Sequence, residues 1–328
     1  MNILITGGAG FLGQRLCKAI LQRGALTNVQ GQVQPVRRIR LFDVARADTQ
    51  SNASVVSVAS VEAVVGDINN AADLGHVLGN DTDSVFHLAA VVSGEAEANF
   101  DLGMRVNVDG TRALLNACRA LPAAPKFVFT SSLAVFGGPL PNPVPDAWPL
   151  TPQNSYGAQK AMCELLINDM SRKGFVDGRV LRLPTICVRP GKPNQAASSF
   201  MSGIIREPLS GVDAICPVQP DLRVLLLSPR GAIQNLFIAH DAPAARFAHT
   251  RSISVPGLTI TVGEMVQALR AVAGAAVAQR VRWQRDEVIE RIVNSWPVAM
   301  EGSFAKSLGM VADADFASIV RAHMQAAH

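Results

Sequence analysis

Tyrosine is almost absent from this sequence: among 328 residues there is one, Tyr156. Aromatic residues together make up 5% of the chain, and the net charge is only +4, with the arginines dispersed. No basic run is interleaved with aromatics, so a nucleic-acid-binding surface is not expected. Five cysteines (Cys17, Cys118, Cys163, Cys187 and Cys216) lie far apart with no Cys-x-x-Cys. An odd number of scattered thiols suits a reducing compartment and buried, small apolar roles. The six histidines show no ligand spacing, so no metal is expected. No apolar stretch is long enough to cross a membrane, and Met1-Asn2 runs into Ile3-Leu4-Ile5 without a charged leader. A cytoplasmic protein with no membrane partner is expected.

What the chain does have is core-forming residues, 48% hydrophobic against 17% charged, at a length that accommodates two lobes. Asn2 to Thr6 reads as a short buried strand, followed by Gly7-Gly8-Ala9-Gly10-Phe11-Leu12-Gly13. Leu12, Leu16 and Ile20 recur every four residues, as in a helix packed on a sheet, and Gly24 ends it. Gly7 permits a tight turn, Gly10 lets backbone approach a pyrophosphate, and Gly13 lets helix and strand pack closely. The helix start offers free N–H groups to phosphate.

Alternating strand and helix patterns follow, giving an α/β, doubly wound parallel sheet of Rossmann type. Arg38 to Phe42 is the second strand, ending at Asp43, whose carboxylate suits ribose hydroxyls and repels a 2′-phosphate. Arg46, three residues on, is the competing signal for NADP; the charge argument favours NAD. Thr27 to Pro35 reads as an inserted loop that lengthens the spacing between Gly13 and Asp43. Val64 to Ile68 reads as the third strand. Asp67 at its end either accepts from an adenine amino group or caps the next helix. Asp83 to Leu88 leads into Ala89-Ala90, whose small side chains let backbone approach a ligand. Asn107 is an amide in an otherwise apolar helical stretch and needs a partner. Lys126 to Thr130 delivers Ser131-Ser132 at the sheet edge where ligands bind.

Tyr156 and Lys160 stand at i and i+4 of a helical segment, on one face. A cation there favours phenolate and lowers the phenol from its reference near ~10. Such a phenol can take the proton of an alcohol as a hydride leaves the same carbon. Residues 1–183 are read as the NAD-binding domain, with 234–248, including a strand at Gln234 to Ile238, returning to its sheet. From Pro184 the proline-rich chain changes character, and 184–328 is read mainly as a smaller, mixed α/β substrate-binding lobe.

These residues resemble the extended short-chain dehydrogenase/reductase superfamily, which includes nucleotide-sugar epimerases and dehydratases. The resemblance is carried by Thr6 to Gly13, Gly66-Asp67-Ile68, His87 to Ala90, Ser131 to Gly137 and Tyr156 to Lys160. Phe136 replaces a tyrosine common there. The resemblance implies Tyr156 as general base, Lys160 as its activator and ribose ligand, and Ser132 as the group positioning the substrate hydroxyl. It associates Asn107 with helix distortion and proton relay. Cofactor contacts carry over to Ile68, Leu88, Ala89, Ala90, Leu183, Pro184 and Thr185, and a homodimer to the helices near Asn107 and Tyr156.

Arg182 to Asn194 lacks the Asn and Tyr of the nucleotide-sugar branch. Arg182 to Gly211 and Asn294-Ser295-Trp296-Pro297 instead look like the NAD-dependent D-erythronate dehydrogenases. That resemblance implies oxidation of a small sugar acid at its C2 hydroxyl. A carboxylated substrate needs cations, and Arg189, Lys192, Arg206 and Arg230 are the candidates. Ser93 and Ser198 are candidate polar contacts and Trp296 a candidate lid. The rival readings are a nucleotide-sugar epimerase or dehydratase with tightly held NAD, and a cofactor-sensing regulator without chemistry.

Overall fold

Successive side chains of the first strand enter opposite cores, and that alternation sets up the layers. The computed structural model describes residues 1–49, 58–191, 196–247 and 249–326. In β1 (Asn2–Thr6) Ile3 and Ile5 enter one core, while Leu4 enters the core on the opposite face. The remaining strands of the main sheet are β2 (Arg38–Asp43), β3 (Ser60–Val65), β4 (Ser84–His87), β5 (Lys126–Ser132), β6 (Asp177–Leu183) and β7 (Ser252–Ser254). All pair in parallel, in the order 3-2-1-4-5-6-7. This is the doubly wound α/β order, and the reversal between β1 and β4 opens a crevice at the strands' carboxyl ends.

The principal helices are α1 (Phe11–Arg23), α2 (Gly110–Arg119), α3 (Ser155–Arg172), α4 (Ser199–Leu209), α5 (Pro229–Asp241) and α6 (Glu287–Asn294). α1 and α5 cover one face of the sheet through Leu16, Ile20 and Leu236. α2 and α3 cover the other through Leu114, Leu115 and Ile167. α1 ends at Gly24, which adopts φ 72°. No helix among the described residues is long and apolar enough to cross a membrane.

Two sequence expectations need correction. Gln234 to Ile238 is not a strand; it lies inside α5, whose start has Ser228 accepting the Gly231 N–H and Pro229 at the first turn. A short apolar run does not by itself distinguish strand from helix, and the capping residues settle it here. The described part of the segment, 234–247, therefore adds no strand, and the sheet gains β7 at Ser252–Ser254 instead. The Thr27 to Pro35 insertion is not wholly loop either: Ala25–Thr27 pairs antiparallel with Val33–Pro35.

Beyond β6, smaller mixed sheets form. Thr185–Ile186 pairs parallel with Arg223–Leu227, which pairs antiparallel with Leu258–Thr261. Ala214–Cys216 pairs parallel with Val281–Trp283. These strands and α4 share a core containing Cys187, Met201, Ile204, Leu226, Met265 and Val293.

Candidate active site

The turn after β1 is built for close approach. Gly7 has φ +69°, and a Cβ there would fall 2.7 Å from the Ala89 nitrogen. A Cβ on Gly13 would fall 2.3 Å from the Gly7 carbonyl oxygen. No side chain caps the start of α1, and Gly7, Gly10, Phe11, Leu12 and Gly13 line a cavity of about 460 Å³. An uncapped helix start on a turn that only glycine satisfies fits the pyrophosphate of a dinucleotide.

Of the other expected cofactor residues, Asp43 and Ala89 contact this turn. Asp43 accepts the Ala9 N–H at 3.0 Å and so fastens the glycine turn to the end of β2. Arg46, the competing signal, is exposed. Asp67 lies beyond β3, accepts the Asn69 N–H at 2.9 Å and does not cap the next helix, where Asn70 does. The Asn69 amide holds its carboxyl below the usual range. Ile68 is buried in the core. Leu88 lines the cavity, the Ala89 N–H donates to Thr6 Oγ1 at 3.3 Å, and Ala90 follows half-buried. Leu183, Pro184 and Thr185 line the cavity at the end of β6.

Ser132 closes β5 and also lines the cavity. Its Oγ accepts the Ala134 N–H at 3.1 Å, which leaves the hydroxyl proton free to donate. α3 begins directly opposite, its first turn capped by Asn154, which accepts the Gly157 N–H at 2.8 Å. A Cβ on Gly157 would lie 2.1 Å from the Ala134 carbonyl oxygen. Glycine is therefore required for α3 to approach the turn that carries Ser132. Tyr156 thereby faces the cavity beside Ser132.

Lys160, 2% exposed, donates from Nζ to the Thr130 carbonyl at 2.9 Å and lies 5.6 Å from the centroid of the Tyr156 ring. The expected lowering of the phenol is not what the protein alone provides. Burial pushes the Tyr156 phenol up to about 12. Burial likewise pushes the Lys160 ammonium down to about 8, against the opposing influence of Cys163 and Glu164. Desolvation is the largest influence on both groups, because both side chains are buried.

Asn107 sits in a π-helical turn, Met104–Asp109, so the helix distortion is present. The residue does not line the cavity. Its Nδ2 donates to the Val91 carbonyl and to Gln159 Oε1, and its Oδ1 accepts the Val91 N–H at 2.8 Å. Its carbonyl accepts from Thr111 Oγ1 and Cys163 Sγ. With these partners made, the amide tethers the loop after β4.

At the far end of the cavity Ser93, Arg189, Ser198, Arg206, Arg223 and Trp296 line the wall. Arg230 does not, and Lys192 lies outside the described residues. Arg206 is committed: it pairs with Glu207 at 2.5 Å and donates to the Arg189 carbonyl at 2.7 Å. The half-buried Arg189 guanidinium has no carboxylate partner among the described residues. Burial, and then the charge of Arg206, hold it below its ordinary pKa. The Trp296 indole N–H is buried and has no acceptor among the described residues. Asn154, Ser202 and Arg223 line the cavity too and were not among the sequence candidates; the helix-cap pattern at Asn154 was a legible signal.

A profile of the NAD dependent epimerase/dehydratase family matches residues 3–223. The chain belongs to the NAD-dependent epimerase/dehydratase family. Within reach of that family, it is 54% identical over 325 residues to the D-erythronate dehydrogenase of Cupriavidus necator, covering 99% of this chain and 98% of that protein. It is 44% identical to the D-erythronate dehydrogenase of Haemophilus influenzae, covering 98% of each. Among solved structures it is similar to the nucleoside-diphosphate-sugar epimerase of Agrobacterium tumefaciens, with 42% identity and a TM-score of 0.91 over 99% of this chain and 94% of that one. The L-threonine 3-dehydrogenase of Trypanosoma brucei superposes with a TM-score of 0.83 at 22% identity, over 98% and 95% of the two chains, which shows a shared fold.

Proposed function

We propose that this family member oxidises a small sugar acid, D-erythronate, at its C2 hydroxyl to 2-dehydro-D-erythronate. The observation that carries the reading is Arg189, a half-buried cation without a carboxylate partner among the described residues, in the same cavity as Ser132 and Tyr156. An unneutralised guanidinium in a partly desolvated wall is costly unless a ligand supplies the anion. The two D-erythronate dehydrogenases, similar over nearly the whole chain, supply the substrate.

In this reading Arg189 holds the carboxylate through paired charge-assisted hydrogen bonds. The free Trp296 N–H donates to a substrate oxygen at the same end. Ser132 donates its hydroxyl proton to the reacting oxygen, and Tyr156 takes the proton from it. Lys160 stabilises the phenolate by its charge and, with the residues around the glycine turn, holds the cofactor ribose. NAD, when bound, supplies the hydride acceptor. Asp43 at the end of β2 favours NAD over NADP by repelling a 2′-phosphate. The protein is further proposed to be cytoplasmic and homodimeric, with exposed Met162 and Leu165 on α3 available to the partner.

The rival is a nucleotide-sugar epimerase, the description given to the Agrobacterium structure. The missing Asn and Tyr between Pro184 and Asn194 speak against it. The test is steady-state kinetics on D-erythronate with NAD for the wild type and Arg189→Met. Turnover by the wild type, with a raised KM in the variant, is expected. A wild type that is inert on the acid, or a variant with unchanged KM, would overturn the proposal.

A further inference from the structure

We infer that Glu164 is a positioning residue for the oxidation proposed above, on which this inference rests: its buried carboxylate ties α3 to the ends of β5 and β6, setting Tyr156 and Lys160 against Ser132. Glu164 is one turn beyond Lys160 on α3 and 1% exposed. Its Oε1 accepts from Ser131 Oγ at 2.5 Å, next to Ser132. Arg182, 8% exposed, grips both oxygens, donating from Nε at 3.0 and 3.1 Å and from Nη2 at 2.7 Å. Ser131 and Arg182 are themselves partners across the β5–β6 ladder. One carboxylate thus joins the helix that carries the base to the two strands that carry Ser132 and the Leu183 end of the cavity.

Two features distinguish this from an ordinary structural ion pair. The first is place: every element it joins delivers a cavity residue. The second is charge, because Glu164 supports the ammonium of Lys160 against desolvation. The surroundings of Lys160 leave few other sources. Tyr156 and Cys163 share its helix, and His87 of β4 is pushed by burial to about 3 and is neutral. Arg182 of β6 is already bound to Glu164. Glu95, Glu97 and Asp101 on the segments packed near the start of α3 are exposed. Arg105 and Asp109 of the π-turn, and Arg112 and Arg119 of α2, are exposed as well.

The test compares Glu164→Gln, which keeps shape but loses charge, with Arg182→Lys, which keeps charge but loses the fork. Both are measured as full-length protein. Glu164→Gln is expected to lower kcat about 10- to 100-fold, the scale of a misplaced reacting group. KM for D-erythronate and affinity for NADH should stay within about twofold, since neither ligand touches the residue. Removing a negative charge lowers nearby proton affinities, so the rising limb of the kcat–pH profile should move to lower pH. Arg182→Lys should lower kcat with the limb in place. Unchanged kcat in both variants would overturn the inference. So would losses spread equally over kcat, KM and NADH binding with no movement of the limb, the signature of general loosening. If the wild type proves inert on the acid, the substrate reading fails separately. The single tyrosine then still reports, because its phenolate absorbance should titrate at lower pH in Glu164→Gln, and identical titrations would sink the inference.

Discussion

The two ends of the main sheet bury comparable amounts of charge and use it differently. At the amino-terminal end Arg179 is fully buried, yet it donates to Asp177 and to the Ala239 and Ala242 carbonyls. Arg251 reaches the same Asp177 at 2.8 Å. Lys126 donates to the His240 carbonyl at 2.7 Å, and His240 is held between Ser84 and Asp241. Every one of these groups has a partner within the protein. At the carboxyl-terminal end Glu164, Arg182 and Ser131 form an equally complete set, but around the cavity, among the described residues, Arg189 has no carboxylate partner and the Trp296 N–H no acceptor. Complete pairing reads as architecture, and the unpaired donors mark where a ligand belongs.

The comparison can be broken by substitution. The largest effect is expected from Tyr156→Phe, which removes the base and should lower kcat about 1,000-fold, with NADH binding and Tm unchanged. Next come two arginines replaced alike. Arg179→Met should destabilise the fold by about 3 kcal/mol in chemical denaturation, because the Ala239 and Ala242 carbonyls lose their donor and Asp177 keeps only Arg251, while kcat of the folded protein stays intact. Arg189→Met should leave stability equal or higher, yet raise KM for the acid about 100-fold, the worth of a charge-assisted pair. If both variants behaved alike, the distinction between the two ends would collapse.

A smaller effect is expected at Lys160. Without its ammonium the phenolate loses a favourable neighbour, so the Tyr156 pKa rises and the base form appears later. The rising limb of the pH–rate profile of Lys160→Met should therefore move up by about one unit. Asp43→Ala should have the smallest effect, weakening NAD and modestly improving NADP, read as the ratio of kcat/KM values. An unchanged ratio would remove Asp43 from cofactor choice.

Much of the site was legible before the fold because its signals are local. The glycine turn, Ser132 and the Tyr156–Lys160 spacing each depend on a few neighbouring residues and a single element. Their convergence follows from parallel strands all ending at one edge. What was not legible depends on tertiary surroundings. The Gln234 to Ile238 run suits a strand or a helix equally, and only Ser228 and Pro229 decide it. The direction of the Tyr156 shift depends on burial, which spacing does not reveal. Asn107 was recognised as needing partners, but that Val91 and Gln159 would supply them is a property of packed loops. The role of Glu164 has only a faint local signal, a carboxylate one turn beyond Lys160 on the same helix face, because Ser131 and Arg182 reach it from other elements.

The substrate proposed for this cavity is a small carboxylated alcohol. The most direct test of that proposal is the formation of reduced cofactor when the purified protein meets NAD and, in turn, D-erythronate, L-threonate, longer aldonates, L-threonine and UDP-glucose. Reduction with D-erythronate well above the others is the expected result. No reduction with any acid, together with cofactor already bound as purified and conversion of the nucleotide sugar, would contradict it.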